Sequence, residues 1–191
     1  MKVDSLYALN NLFKIEFLLK NLLEVKIINK NFRQYIGLIT AILVYYIVHE
    51  GAHLLYALYI GVFKQINFMG LGVQIEVYAE KMTSNEIGIF CFLGSFATLA
   101  VAYILVLMTD ILVKNSSKVF KACMYYVTIA MLIIDPIYLS ILCGFFGGGD
   151  INGISFLVPE ILARVIYGCI LFVNTAIFIK IILPKYKMSF C

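Results

Sequence analysis

Apolar residues run almost unbroken through four stretches of this chain, about 36 to 60, 86 to 109, 119 to 143 and 157 to 183. Each is long enough to cross a bilayer's hydrocarbon core, roughly 30 Å thick, as a helix. The first 33 residues follow another pattern, in which Lys14, Glu16, Lys20, Glu24 and Lys26 interrupt Leu, Ile and Phe. This reads as an amphipathic helix lying in the membrane interface, with a further span from about Leu6 as the alternative. Between Val62 and Glu80 the period changes to alternation: Gln65, Ile66, Asn67, Phe68, then Val73, Gln74, Ile75, Glu76, Val77, Tyr78, with Gly70 and Gly72 between the halves. Alternation around a glycine turn predicts a β-hairpin. The expected fold is therefore an all-α polytopic membrane protein with about four transmembrane helices, an N-terminal amphipathic helix and a short hairpin after the first span. Residues 1–34 form the interfacial segment and residues 35–191 one integral-membrane domain.

Composition agrees with this pattern and narrows it. Of 191 residues 63% are hydrophobic, and the mean hydropathy is +0.97, well above a soluble domain's apolar share. The spans leave almost no room for a separate soluble domain. Basic residues cluster before the first span (Lys2, Lys14, Lys20, Lys26, Lys30, Arg33), around the second connection (Lys114, Lys118, Lys121) and at the end (Lys180, Lys185, Lys187). The positive-inside rule puts all three regions in the cytoplasm and the other two connections outside. The net charge of +4 thus reflects topology, and no nucleic-acid partner is implied. Cys91, Cys123, Cys143, Cys169 and Cys191 show no C-x-x-C spacing, so neither a disulfide framework nor a thiolate metal site is expected. No compact apolar core with a small-residue cleavage site heads the chain, so no cleavable signal peptide is expected. The absence of Trp beside abundant Ile, Lys and Asn suggests an AT-rich bacterial genome, so with the apolar spans the expected location is a bacterial cell membrane, crossed several times.

Within the first span, His49, Glu50, Gly51, Ala52 and His53 spell H-E-x-x-H, and these are the chain's two histidines. Ionisable groups at membrane depth are costly and mark functional sites. Histidines four apart differ by roughly 40° around a helix and about 6 Å along it, so both rings can reach one metal ion. Glu50, beside that face, can take a proton from an attacking water without occupying a coordination position.

A catalytic zinc site usually has three protein ligands, and no third histidine exists here. Asp150 and Asp135 are the candidates. Asp135 precedes Pro136 inside an apolar run, where proline removes a helix hydrogen bond and kinks the chain. Asp150 follows Gly147, Gly148 and Gly149, in a turn able to fold back towards a metal. Glu160 can pair with Arg164 one turn later, and Glu76 and Glu80 lie on the expected hairpin. In the second span the small residues Gly88, Gly94, Ser95, Ala97 and Thr98 offer a face for close packing against the His-bearing helix.

Together these residues resemble the site-2 protease family of intramembrane zinc metallopeptidases. The likeness spans about residues 36 to 170: His49-Glu50-Gly51-Ala52-His53 in one span, Leu93-Gly94-Ser95-Phe96-Ala97-Thr98 opening the next, and Gly149-Asp150-Ile151-Asn152-Gly153 near the family's late Asp-Gly motif. Ser95 and Thr98 stand where the family has Pro and Asn, and Ile151 follows Asp150 in place of Gly. The resemblance implies one Zn2+ per chain held by His49, His53 and Asp150, with Glu50 as catalytic acid/base. Asp135 is the runner-up ligand or a partner to a histidine. It also implies a metal near the cytoplasmic side, whereas the lysine count runs the His-bearing helix from inside to outside.

The expected function is hydrolysis of peptide bonds in membrane-embedded or membrane-associated peptides, with a polar cavity near residues 147 to 152 admitting water. Asn152 and Thr98 are candidate substrate contacts, and the hairpin edge is a candidate for strand addition by an unwound substrate. The alternative is a non-proteolytic metal-binding membrane protein, either a divalent-ion transporter or an inactive regulatory relative. Glu50 discriminates between them, because ion transport has no particular need for a carboxylate adjacent to the first histidine. No internal repeat of the kind transporters carry is visible.

Overall fold

A computed structural model describes residues 3–69, 72–146 and 149–190, with side chains described for residues 30–68, 72–145 and 149–190. The order is α1 (Val3–Tyr59), β1 (Phe63–Met69), β2 (Gly72–Val77), α2 (Ser84–Leu107), α3 (Thr109–Leu112), α4 (Lys118–Ile137), α5 (Cys143–Phe146), α6 (Gly149–Ile154), α7 (Glu160–Ile177) and α8 (Leu183–Phe190). Four stretches are long and apolar enough to cross a membrane: Lys30–Tyr59, Ser84–Leu107, Lys118–Phe145 and Glu160–Phe190. They overlap the four spans read from hydropathy, the first beginning at Lys30 and the last running on to Phe190. The protein is a helical membrane protein with four such spans among the described residues and a two-stranded hairpin after the first of them. α1 is continuous from Val3, so the N-terminal segment and the first span share one uninterrupted helical backbone.

Large apolar side chains point outward from every span, among them Ile47, Leu55, Phe96, Leu107, Ile161 and Phe172. In water such a surface would be an association hazard; in lipid it faces the acyl chains. What holds the helices to one another is small-residue contact and polar pairing. A Cβ on Gly37 would lie 2.5 Å from Tyr126 Cδ2 and 3.0 Å from the Ala122 carbonyl, so α1 meets α4 at backbone distance. Ala41, Ala102, Val127, Met131 and Leu132 continue that seam into α2. At the hairpin end, Ala57, Val62 and Ile75 seat the strands on α1.

Local signals set the ends. Thr83 caps α2 reciprocally with Glu86: the Glu86 N–H donates to Thr83 Oγ1 at 3.3 Å, and the Thr83 N–H donates to the Glu86 carboxylate at 2.7 Å. Ser117 caps α4 by accepting from the Phe120 N–H at 3.2 Å. The strands pair antiparallel, with Ile66 opposite Ile75 and Phe68 opposite Val73, and the register shifts between Phe63 and Gln65. The tip at residues 70 and 71, with Gly70, lies outside the described residues.

Pro136 shapes the third span. Having no N–H, it leaves the Leu132 carbonyl without its intrahelical donor. Asn174 Nδ2, from α7, donates to that carbonyl at 2.7 Å, and the Tyr103 hydroxyl donates to Asn174 Oδ1 at 2.9 Å. Beyond the proline the helix widens to π geometry over Tyr138–Leu142. There Ser140 Oγ donates to the Pro136 carbonyl at 2.5 Å and Arg164 Nε donates to the Ser140 carbonyl at 3.2 Å. Lost helix bonds are thus replaced from the neighbouring helix, as a kink within a membrane requires.

Candidate metal centre

His49 and His53 project from the same face of α1, one turn apart, towards α2. The α2 backbone comes unusually near them: a Cβ on Gly94 would lie 2.5 Å from His53 Nε2 and 2.7 Å from His49 Nε2. Glycine is the residue that permits this approach. From the other side α6 brings Asp150, and α6 is itself pressed on α2 where a Cβ at Gly153 would lie 2.2 Å from Cys91 Sγ.

Three ligand atoms converge as a result. His49 Nε2 is 3.1 Å from Asp150 Oδ2, His53 Nε2 is 3.7 Å from the same oxygen, and the two Nε2 atoms are 3.2 Å apart. A point equidistant from three atoms so spaced is about 1.9 Å from each, just inside the roughly 2.0–2.2 Å of zinc bonds to imidazole and carboxylate. His49, His53 and Asp150 are the group of His, Cys, Asp or Glu side chains able to hold one metal ion among the described residues.

The opposite nitrogens decide whether those atoms are available. His53 Nδ1 faces the Phe90 carbonyl at 2.8 Å, an acceptor only, so Nδ1 carries the proton and Nε2 its lone pair. His49 Nδ1 faces the Asp135 carboxylate at 3.3 Å, which assigns the same tautomer. Two lone pairs and a carboxylate oxygen then point at one another without a proton among them. A divalent cation resolves that repulsion and fits the donor set, two imidazoles and one carboxylate.

Asp135 serves the opposite side of His49. Its carboxylate, buried at 2% exposure, accepts from the Tyr45 hydroxyl at 2.5 Å, from Thr98 Oγ1 and from His49 Nδ1. Its place is behind the ring, away from the three converging atoms. Thr98, a sequence candidate for substrate contact, is fully buried and engaged with Asp135. Asn152, the other candidate, has an exposed side chain, while its backbone carbonyl accepts from Ser155 Oγ at 2.5 Å. Gly147 and Gly148, where a polar cavity was expected, lie outside the described residues. Glu160 pairs with Arg164 at 3.3 Å and Glu76 with Lys64 at 2.5 Å, both away from the histidines.

Glu50 stands apart from the triad. Its carboxylate accepts the Ile75 N–H of β2 at 3.2 Å. It borders an open cleft of about 300 Å³ between α1 and the hairpin, walled by Tyr46, Leu54, Ile66 and Val73. Three participants escaped the sequence reading. Tyr45 was in principle visible, since it stands four residues before His49; the Phe90 carbonyl carries no side-chain signal; and Gly94 was read as a packing residue without its role against the rings.

No known protein family, curated protein or solved structure matches this chain.

Proposed function

We propose that this protein is an intramembrane zinc metallopeptidase of the site-2 type, acting in a bacterial cell membrane on membrane-embedded or membrane-associated peptides. The observation that carries the reading is the convergence of His49 Nε2, His53 Nε2 and Asp150 Oδ2 with Glu50 on the next residue of the same helix. When bound there, zinc supplies Lewis acidity, polarising a carbonyl and lowering the pKa of water towards about 7.

The chain's own residues do the rest. Phe90 and Asp135 hold the two imidazoles in the tautomer that presents Nε2. Glu50 Oε accepts the proton of the attacking water and later delivers it to the leaving nitrogen as the C–N bond breaks, so that water adds across the amide and, with the acid's own proton passing to the amine, gives a carboxylate and an ammonium. The Ile75 N–H positions that carboxylate at the cleft. An extended peptide in the cleft would lie beside Glu50 and against Ile66, Val73 and Ile75 of the hairpin, whose edge offers strand addition. Its apolar walls favour apolar side chains.

Glu50→Gln keeps the shape of the side chain and removes its basicity. Co-expressed with single-span candidate substrates, the variant is expected to retain the parent's zinc and lose cleavage by about 10²- to 10⁴-fold. Cleavage unchanged at equal zinc would remove Glu50 from the mechanism and leave a metal-binding membrane protein without hydrolysis as the better reading.

A further inference from the structure

After α1 the chain turns back along its own first span. Gly61, at φ 73°, makes the reversal, and the hairpin then runs down the side of α1. Val77 packs on the Ala57 cluster, the Ile75 N–H meets Glu50, and Val73 and Ile66 share a cleft with Tyr46 and Ile47. From Tyr59 back to Tyr46, α1 covers about 20 Å, roughly two thirds of a hydrocarbon core. Exposed apolar side chains flank the same depth: Leu55 and Leu58 on α1, and Ile89 and Phe92 on α2 beside the Phe90 carbonyl that meets His53. The hairpin is thus re-entrant, and its inner end passes the level of His49.

A strand pair has two faces, and these differ in chemistry. Ile66, Phe68, Val73 and Ile75 form the apolar one, with Ile75 seated on α1. Gln65, Asn67, Gln74 and Glu76 form the other. Glu76 accepts from Lys64 Nζ at 2.5 Å, from Gln65 Nε2 at 2.7 Å and from Asn67 Nδ2 at 2.7 Å. Lys64, Gln65 and Gln74 nevertheless stay exposed. The outer edge of β1 is open too. Because the Ile75 N–H points to Glu50, the backbone groups of its opposite residue Ile66 point away from β2, and among the described residues nothing hydrogen-bonds to them.

Acyl chains offer these groups no partner, and non-helical backbone at membrane depth is tolerated only where protein or water surrounds it. The chain itself does not cover this face. The face also continues a polar track that begins at the rim, where Glu80 and Lys81 are exposed, and leads inward through Lys64 and Glu76 to Gln65, Asn67 and Gln74. We propose that the polar face of the hairpin and the open edge of β1 line a water-filled vestibule, entered from the hairpin end of the bundle and reaching the depth of His49. Water then approaches the level of the metal centre from the end opposite the basic connections. The inference stands on the hairpin alone and does not depend on metal binding or hydrolysis.

The test places single cysteines in the full chain in lipid vesicles and adds a charged, membrane-impermeant thiosulfonate on the hairpin side. Label is located by peptide mapping against the parent's own cysteines, and the thermal unfolding midpoint checks the fold of each variant. Glu80→Cys, at the exposed rim, sets the rate in water; Leu55→Cys, at a position 71% exposed on α1 at the hairpin's depth, sets the rate in lipid. Gln65→Cys and Gln74→Cys are each expected to react within about tenfold of Glu80→Cys and at least about 100-fold faster than Leu55→Cys, because the reactive thiolate requires water. Rates at both positions as slow as at Leu55→Cys would overturn the vestibule, and a fast rate regained in detergent would then assign the face to a covering partner or second copy. A Leu55→Cys rate equal to that of Glu80→Cys would overturn the placement of the hairpin within the bilayer.

Discussion

Gly94→Ala places one methyl group where the two histidine rings press on α2. The new Cβ would sit 2.5 Å from His53 Nε2, 2.7 Å from His49 Nε2 and 2.8 Å from His49 Cε1, whereas ordinary contact begins near 3.4 Å. Something must therefore move by about 0.9 Å, and α2 is poorly placed to do so, because it is packed so closely on both sides that a Cβ at Gly88 would lie 2.5 Å from Leu157 and one at Gly153 would lie 2.2 Å from Cys91. The rings yield instead. Metal bonds tolerate displacements of only about 0.2 Å, so both nitrogens leave the positions from which they meet Asp150. The expected loss of zinc affinity is at least 100-fold, more than the 10- to 100-fold typical of disturbing a ligand's outer partner, with an overpacking cost of about 1–3 kcal/mol in stability. The assay is zinc content of detergent-purified protein by mass spectrometry, followed by competition with a chelator. Gly51→Ala is the control: it lies between the histidines, yet its Cβ would meet nothing within 4 Å, so zinc should be retained in full. If folded Gly94→Ala binds zinc as tightly as the parent, the nitrogens facing Gly94 are not the ligand atoms.

Two further predictions separate roles that one static arrangement combines. Asp150→Ala should empty the metal site, whereas Asp135→Asn, which keeps a hydrogen-bond acceptor behind His49, should weaken zinc about 10- to 100-fold and leave stoichiometric binding at high zinc; the reverse order, read by chelator competition, would exchange the two carboxylates. Asn174→Ala strands the Leu132 carbonyl and should cost about 1–2 kcal/mol of unfolding free energy in detergent. In a Pro136→Ala background, where the helix regains its own donor to that carbonyl, the cost should fall by about half, and equal costs in the two backgrounds would show that Asn174 is not compensating the proline.

The sequence showed what depends on local period and left open what depends on how distant elements dock. Hydropathy marked the four spans, and the switch to alternation at Gln65 marked the hairpin, because each property resides in neighbouring residues. H-E-x-x-H was legible for the same reason: the helix alone fixes the separation of the two rings. The choice between Asp150 and Asp135 had no such local determinant. Both follow in later parts of the chain, and which nitrogen of His49 each meets depends on the widened turn after Pro136 and on the seat of α6 against Cys91.

Hydrogen-bond capacity, visible only after folding, distinguishes the two carboxylates. Asp135 accepts from Tyr45, Thr98 and His49 Nδ1, three donors carried on two other helices. A carboxylate so occupied has little left for a cation and much to contribute by orienting the ring it holds. Among the described residues Asp150 Oδ2 meets the two Nε2 atoms, both already assigned as lone pairs by the partners of Nδ1. The same reasoning moves Thr98 inward, since its hydroxyl donates to the carboxylate that orients His49 and has no exposed surface. Had the Asp135 carboxylate lacked these donors, its burial would have required a cation of its own; having them, it supports the Nδ1 side of His49, and Asp150 is the carboxylate left facing the two Nε2 atoms.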